Sequence, residues 1–214
     1  MKRTILACAT LATFTFPALA EAQASVGFRG GLTRTDLSVE TDDTDVEFGS
    51  KTGIVLGGFV QFPMGESLGL QTGLNYTQKG SEFTDEDGTA DLELDYFEVP
   101  LLAVYTIPSS GPFGVRLMGG PVVSLESSCE VSGEVEGVET TADCEDLGIG
   151  TKSVDFGIQV GGGAIYDIQG VAALFLDVGY NFGLTNIDDD PDEGESAKNR
   201  ALLVSVGVDF PLGY

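Results

Sequence analysis

The segment "NIDDDPDEGES" sets Asp188, Asp190 and Asp192 at alternate positions, with Glu193 and Glu195 close behind. Carboxylates so spaced can supply several of the roughly six to eight oxygens that a calcium ion takes. A second run, "TDDTDVE", carries Asp43, Asp45 and Glu47 in the same style. Neither has the glycine and the closing glutamate of an EF-hand loop. The pattern therefore points at most to a weak divalent-cation site at Asp188, Asp190 and Asp192, and favours a solvated, self-repelling surface. Cysteine offers different chemistry. Cys129 and Cys144 are the pair left once the leader containing Cys8 is removed, and in an exported chain a disulfide is their natural state. Closing that loop contributes about 3 kcal/mol by chain entropy. Zinc is not expected, because the chain has no histidine and no CxxC.

The same lack of histidine bears on catalysis. Acyl transfer and hydrolysis need a base near neutral pH, and small barrel hydrolases use His with Ser or Asp. Lys51, Lys79, Lys152 and Lys198 fall at strand–loop edges, where solvation is expected to keep them charged. No catalytic residue and no cofactor is expected, so the chain does not read as an enzyme.

The elements that must carry these residues follow from composition. A net charge of −24 sits beside 42% hydrophobic residues, so charge and hydrophobicity must be segregated along the chain. Ten basic residues against 34 acidic ones argue against nucleic acid, whose phosphates must be neutralised, and no nucleic-acid partner is expected. The opening "MKRTILACATLATFTFPALAEAQA" has a basic start, an apolar middle and small-residue cleavage sites, and reads as a signal peptide over residues 1–24. Residues 25–214 then form one domain.

Within it the repeating period is two, the mark of strands. In "VGFRGGL", "SLGLQTGLNYTQ", "FGVRLMGGPVVSL", "VDFGIQVGGGAIY" and "LFLDVGYNFGL" one face is apolar and the other is Gly, Ser, Asn, Gln, Arg or Asp. The last segment, "LLVSVGVDFPLGY", alternates to the final residue. "TGIVLGGFVQF" is apolar on both faces, and "DLELDYFEVPLLAVYTI" slips phase near Glu98–Pro100, where a bulge is expected. Eight strands result. The connections "PMGE", "PSSGP" and "DIQG" are short, and those over 39–50, 84–91, 126–148 and 186–196 are long and acidic. Short turns thus gather at one end and acidic loops at the other.

A soluble barrel hides its apolar face in the lumen. Here the polar face is the one made of small residues that fit a narrow interior, so the apolar face is assigned to lipid. The fold expected is an all-β, eight-stranded, antiparallel, up-and-down transmembrane barrel with short periplasmic turns and long acidic outer loops. Arg29 and Arg116 are then expected to pair in the lumen with Glu98, Asp155, Asp177 or Asp209. Tyr76, Tyr105, Phe113, Tyr166, Phe182, Phe210 and Tyr214 fall towards strand ends, as an aromatic girdle does. Phe210, Leu212 and Tyr214 match the terminal signal read by the outer-membrane assembly machinery. Inward Gly73, Gly161 and Gly163 leave open a thin cation path.

One segment is more specific. "LDYFEVPLLAVYTI" resembles the Tyr-Leu-Glu-(Ile/Val)-Pro-Leu-Leu strand of the outer membrane protein beta-barrel domain family (porin family, PorT-like small barrels). "GFRGGL", "LGLQTGLNYTQKG" and "GGGAIYDI" are similar to other strands of that family. The resemblance implies an eight-stranded barrel in the bacterial outer membrane and brings no catalytic residues.

The leading function is a non-enzymatic, monomeric envelope protein with a structural or surface-interaction role. Its partners would be outer-membrane lipid, the assembly machinery, and divalent cations or an extracellular partner at the acidic loops. The alternatives are a narrow cation-preferring porin and a secreted soluble barrel that binds a small apolar ligand.

Overall fold

The computed structural model describes residues 23–40, 47–84, 89–107, 109–135, 138–148, 150–187 and 196–213. Strands β1 (Ser25–Glu40), β2 (Glu47–Pro63), β3 (Leu68–Thr84), β4 (Thr89–Ile107) and β5 (Phe113–Val135) are followed by a short β6 (Val138–Asp143). Then come β7 (Val154–Ile168), β8 (Ala172–Gly183) and β9 (Ser196–Pro211). Every neighbouring pair is antiparallel. The order β4-β3-β2-β1-β9-β8-β7-β5 closes on itself through β4–β5, so eight strands form the barrel. The seam runs the full length of β1 and β9, from Ser25 opposite Pro211 to Glu40 opposite Ser196. That seam is why alternation persists almost to the end of the chain.

The long 126–148 connection differs from the open loop read in the sequence. β5 is 23 residues long and rises past the point where β7 leaves it at Leu125. Its upper part pairs instead with β6, from Glu130 opposite Asp143 to Val135 opposite Val138. Beyond β6, a short helical turn (Glu145–Leu147) ends at Gly148, whose φ of 74° is left-handed. The bulge also moves. The ladder between β4 and β5 shifts at Asp95/Tyr96 rather than at Glu98–Pro100. Pro100 lacks an N–H, but the register on either side of it is continuous, so the proline interrupts pairing without adding a residue.

Period two governs burial. In β9, Leu202, Val204, Val206 and Phe210 are exposed while Asn199, Ala201, Leu203, Ser205 and Asp209 are buried. β2, ambiguous by sequence, turns Leu56 outward and Val55 and Phe59 inward. The outward apolar band stops at a sharp upper edge. Arg34 follows Leu32 on the outer face of β1, Arg200 stands above Leu202 on β9, and Asp95 stands above Phe97 on β4. Ring pairs mark the band's margins: Phe113 with Tyr166 at 4.8 Å near the short turns, and Tyr76 with Phe97 at 5.9 Å near the loops. No helix among the described residues is long and apolar enough to cross a membrane. The strands do so instead, at 12 residues or more in each barrel strand against the roughly 9–11 that a tilted crossing needs.

Candidate functional site: a filled lumen beneath a clipped outer cap

The inward residues of all eight strands meet in two storeys. In the lower one, Arg116 on β5 crosses to Asp177 on β8: Nε donates to Oδ1 at 2.7 Å and Nη2 to Oδ2. Arg29 on β1 donates to the side-chain carbonyl of Gln71 on β3 at 2.7 Å. Each guanidinium also lies over a ring, Arg29 over Phe59 at 4.7 Å and Arg116 over Phe175 at 4.0 Å. The two rings touch each other, with centroids 5.7 Å apart. Room for them comes from the strand alongside. Gly27 stands opposite Phe59, and Gly207 opposite Phe175. A Cβ on either glycine would fall 2.2 Å from the facing ring. Leu102, Val104 and Met118 pack as an apolar shelf on the same side as Arg116's strand.

The upper storey is built on Lys79 and Glu98. They form an ion pair at 2.8 Å with both side chains about 2% exposed. Glu98 also accepts from Thr77 at 2.8 Å and Ser124 at 3.1 Å, so its lone pairs are well satisfied. The Lys79 ammonium lies 4.6 Å over the Tyr96 ring. Asn199 then donates to Tyr96 Oη at 3.3 Å and to Asp155 at 3.1 Å, and Thr185 donates to Asp155 as well.

Of the expected lumen residues, Arg29, Arg116, Glu98, Asp155, Asp177 and Asp209 are all buried. The pairing is narrower than expected. Only Arg116 and Asp177 join directly. Glu98 takes Lys79, Asp155 takes neutral donors, and Asp209 takes Ser25 at the lower end. Lys79 corrects the expectation that it sits at a solvated edge: β3 runs on to Thr84, so its odd positions Gln71, Asn75, Thr77 and Lys79 all point inward. The sequence already carried that phase. Asn199 was missed for the same reason, because β9 starts earlier than its most regular stretch.

Above the upper storey, Leu92, Leu94, Tyr96, Cys144 and Ile187 form an apolar cluster, with Cys129 and Val131 against it. Cys129 faces Leu94 across β4–β5 and is disulfide-bonded to Cys144, their Cα atoms 5.5 Å apart. The Cys144 N–H donates to the Cys129 carbonyl at 3.1 Å. Ile187 comes from the β8–β9 connection, held where its carbonyl accepts from Lys152 N–H at 2.8 Å. The mouth is thus covered by apolar side chains from three parts of the chain.

The three glycines expected to leave a cation path lie close to their neighbours. A Cβ at Gly163 would strike the Asp177 carboxylate at 2.2 Å, and Cβ atoms at Gly73 and Gly161 would strike neighbouring backbone. The acidic trio Asp188, Asp190 and Asp192, and the terminal Tyr214, lie outside the described residues. Phe210 and Leu212 point outward at the seam's lower end. Among the described residues no three metal-ligating side chains gather.

The model of the outer membrane protein beta-barrel domain matches residues 17–189. The chain belongs to that family. It is a protein of the bacterial outer membrane. Among solved structures, OprG from Pseudomonas aeruginosa aligns with a TM-score of 0.54 at 14% identity, over 89% of this chain and 98% of that one. Neisserial surface protein A aligns with a TM-score of 0.51 at 16% identity, over 88% and 99%. These likenesses concern the fold. No curated protein matches in sequence.

Family and geometry together remove the soluble-barrel alternative. A secreted barrel binding an apolar ligand needs a greasy lumen and a polar wall, and this one has Arg, Lys, Glu and Asp inside. Phe28, Leu32 and Val206 stand nearly 60% exposed outside.

Proposed function

We propose that this barrel is a closed, monomeric outer-membrane scaffold that performs no chemistry and acts through its outer surface, as a structural or surface-interaction protein. The observation that carries the reading is the lumen: Arg116, Glu98, Tyr96, Leu94 and Leu102, from both storeys, the cap and the shelf, are all at or below 1% exposure. An eight-stranded interior is only wide enough for side chains, and here they fill it. Closure leaves the barrel strands without an open edge, which favours a monomer. What remains for recognition is the β5–β6 hairpin, clipped by its disulfide, together with the acidic connections. Their partner would be basic, or bridged by divalent cations.

Planar-bilayer recording of protein whose folding is verified by a heat-dependent gel shift tests this against a narrow cation-preferring porin. A silent bilayer is expected. Reproducible cation-selective steps would overturn the closed scaffold and make the Lys79–Glu98 and Arg116–Asp177 pairs its constriction.

A further inference from the structure

The chain's few basic residues are placed unevenly. Arg29, Lys79 and Arg116 fill the lumen. Lys51 reaches Glu93 at 2.6 Å and Asp91 at 3.5 Å, passing Gly80, where a Cβ would come within 3.2 Å of its side chain. Lys152 donates to the Asn186 carbonyl at 3.2 Å. Arg34, Lys198 and Arg200 stand together on the outer face of β1 and β9. Strand phase puts all three outward, with Leu32, Leu202 and Val204 in the same columns below them. Arg34 is level with Leu202, and Arg200 with Asp36. Among the described residues none of the three has a carboxylate at ion-pair distance. Arg34 Nε donates to Ser50 Oγ at 2.9 Å, which steadies the guanidinium without using its two terminal nitrogens.

Height and charge together identify a ligand. These cations begin where the apolar band ends, the level at which outward side chains leave hydrocarbon and meet lipid headgroups. The arc is local. In the ring of eight strands, β9 lies across from β4 and β1 across from β5. On β4 the outward positions at the corresponding level are Asp95, Glu93 and Asp91. A chain of net charge −24 thus sets three cations around a single outward carboxylate, Asp36, on this arc, and carboxylates at all three of those positions on β4. Guanidinium groups bind phosphate through paired N–H donors. We propose that Arg34, Lys198 and Arg200 bind the phosphate-bearing headgroup of an outer-leaflet lipid, whose acyl chains lie along Leu32, Leu202 and Val204. This goes beyond the proposed function and holds whether or not the lumen conducts.

The test uses the folded, full-length protein in detergent micelles carrying either a diphosphorylated glucosamine lipid or the same lipid with both phosphates removed. Native mass spectrometry counts the lipids retained. The phosphorylated form is expected to be retained preferentially. The triple variant Arg34→Gln, Lys198→Gln, Arg200→Gln should bind it about a hundredfold more weakly, at the contribution typical of a surface cation near anionic lipid. Lys152→Gln should leave retention unchanged. If the triple variant fails the heat-dependent gel shift, Arg34→Gln and Arg200→Gln are compared singly, each expected to weaken binding about fivefold. Equal retention of the two lipids, or undiminished retention by the folded variants, would overturn the site. Displacement by inorganic phosphate alone would overturn its assignment to a lipid, since the acyl chains supply the second anchor.

Discussion

Phe59 and Phe175 meet at the centre of the lower lumen because glycine faces each of them across the sheet. This pairing of a large inward side chain with an inward glycine recurs at Asn75 with Gly57 and at Asp177 with Gly163. It makes the glycines packing residues rather than flexible ones. Gly27→Ala, whose Cβ would lie 2.2 Å from the Phe59 ring, should lower stability by about 1–3 kcal/mol. The double variant with Phe59→Leu should recover most of it. Urea midpoints followed by the heat-dependent gel shift measure both, and an unrecovered double variant would show that the ring is not what Gly27 accommodates. The alternation of β1 placed Gly27 inward from sequence alone. That Phe59 faces it depends on the β1–β2 register, which the doubly apolar "TGIVLGGFVQF" could not reveal.

At the scale of elements, the β5–β6 hairpin is the part that sequence patterning described least well. Its inward positions Cys129 and Val131 lean on Leu94 and Leu92 of β4, and the disulfide ties Cys144 into the same cluster. Above Leu125 β5 no longer pairs with β7, so the hairpin relies on β4 and this clip for its place. Replacing Cys129 and Cys144 by Ser should cost about 2–4 kcal/mol, expressed locally. The expected result is rapid proteolysis within 126–148 while the barrel keeps its heat-dependent gel shift. Equal resistance in the two proteins would mean that the cluster alone secures the hairpin. The spacing of the cysteines in an exported chain was enough to pair them. The strand around them was hidden because its outward face carries Ser and Glu, as a loop's would.

At the scale of the whole molecule, lipid outside and ion pairs inside impose a depth dependence on every outward position. Val206 lies midway along the outward face of β9, and Leu202 at its upper margin beside Arg34. Val206→Arg should destabilise the folded barrel in a bilayer by about 2–4 kcal/mol, and Leu202→Arg by no more than about 1 kcal/mol. Unfolding in lipid vesicles reads the difference. Equal costs at the two positions would contradict the placement of the bilayer. The same inversion balances the interior, where Arg29, Lys79 and Arg116 face Glu98, Asp155, Asp177 and Asp209. The acidity of the chain as a whole therefore resides in its outer parts.

Period-two alternation and the uneven loop lengths determined the barrel, its number of strands and its polar lumen. They suffice because each is a local property: a strand's phase decides which face a residue joins before any partner is chosen. Partner choice is a property of register, closure and strand length, which bring residues far apart in sequence into contact. Only the tertiary structure could thus give Asp177 to Arg116, give Glu98 to Lys79, set Phe59 over Gly27, and gather Arg34, Lys198 and Arg200 on one arc above the apolar band.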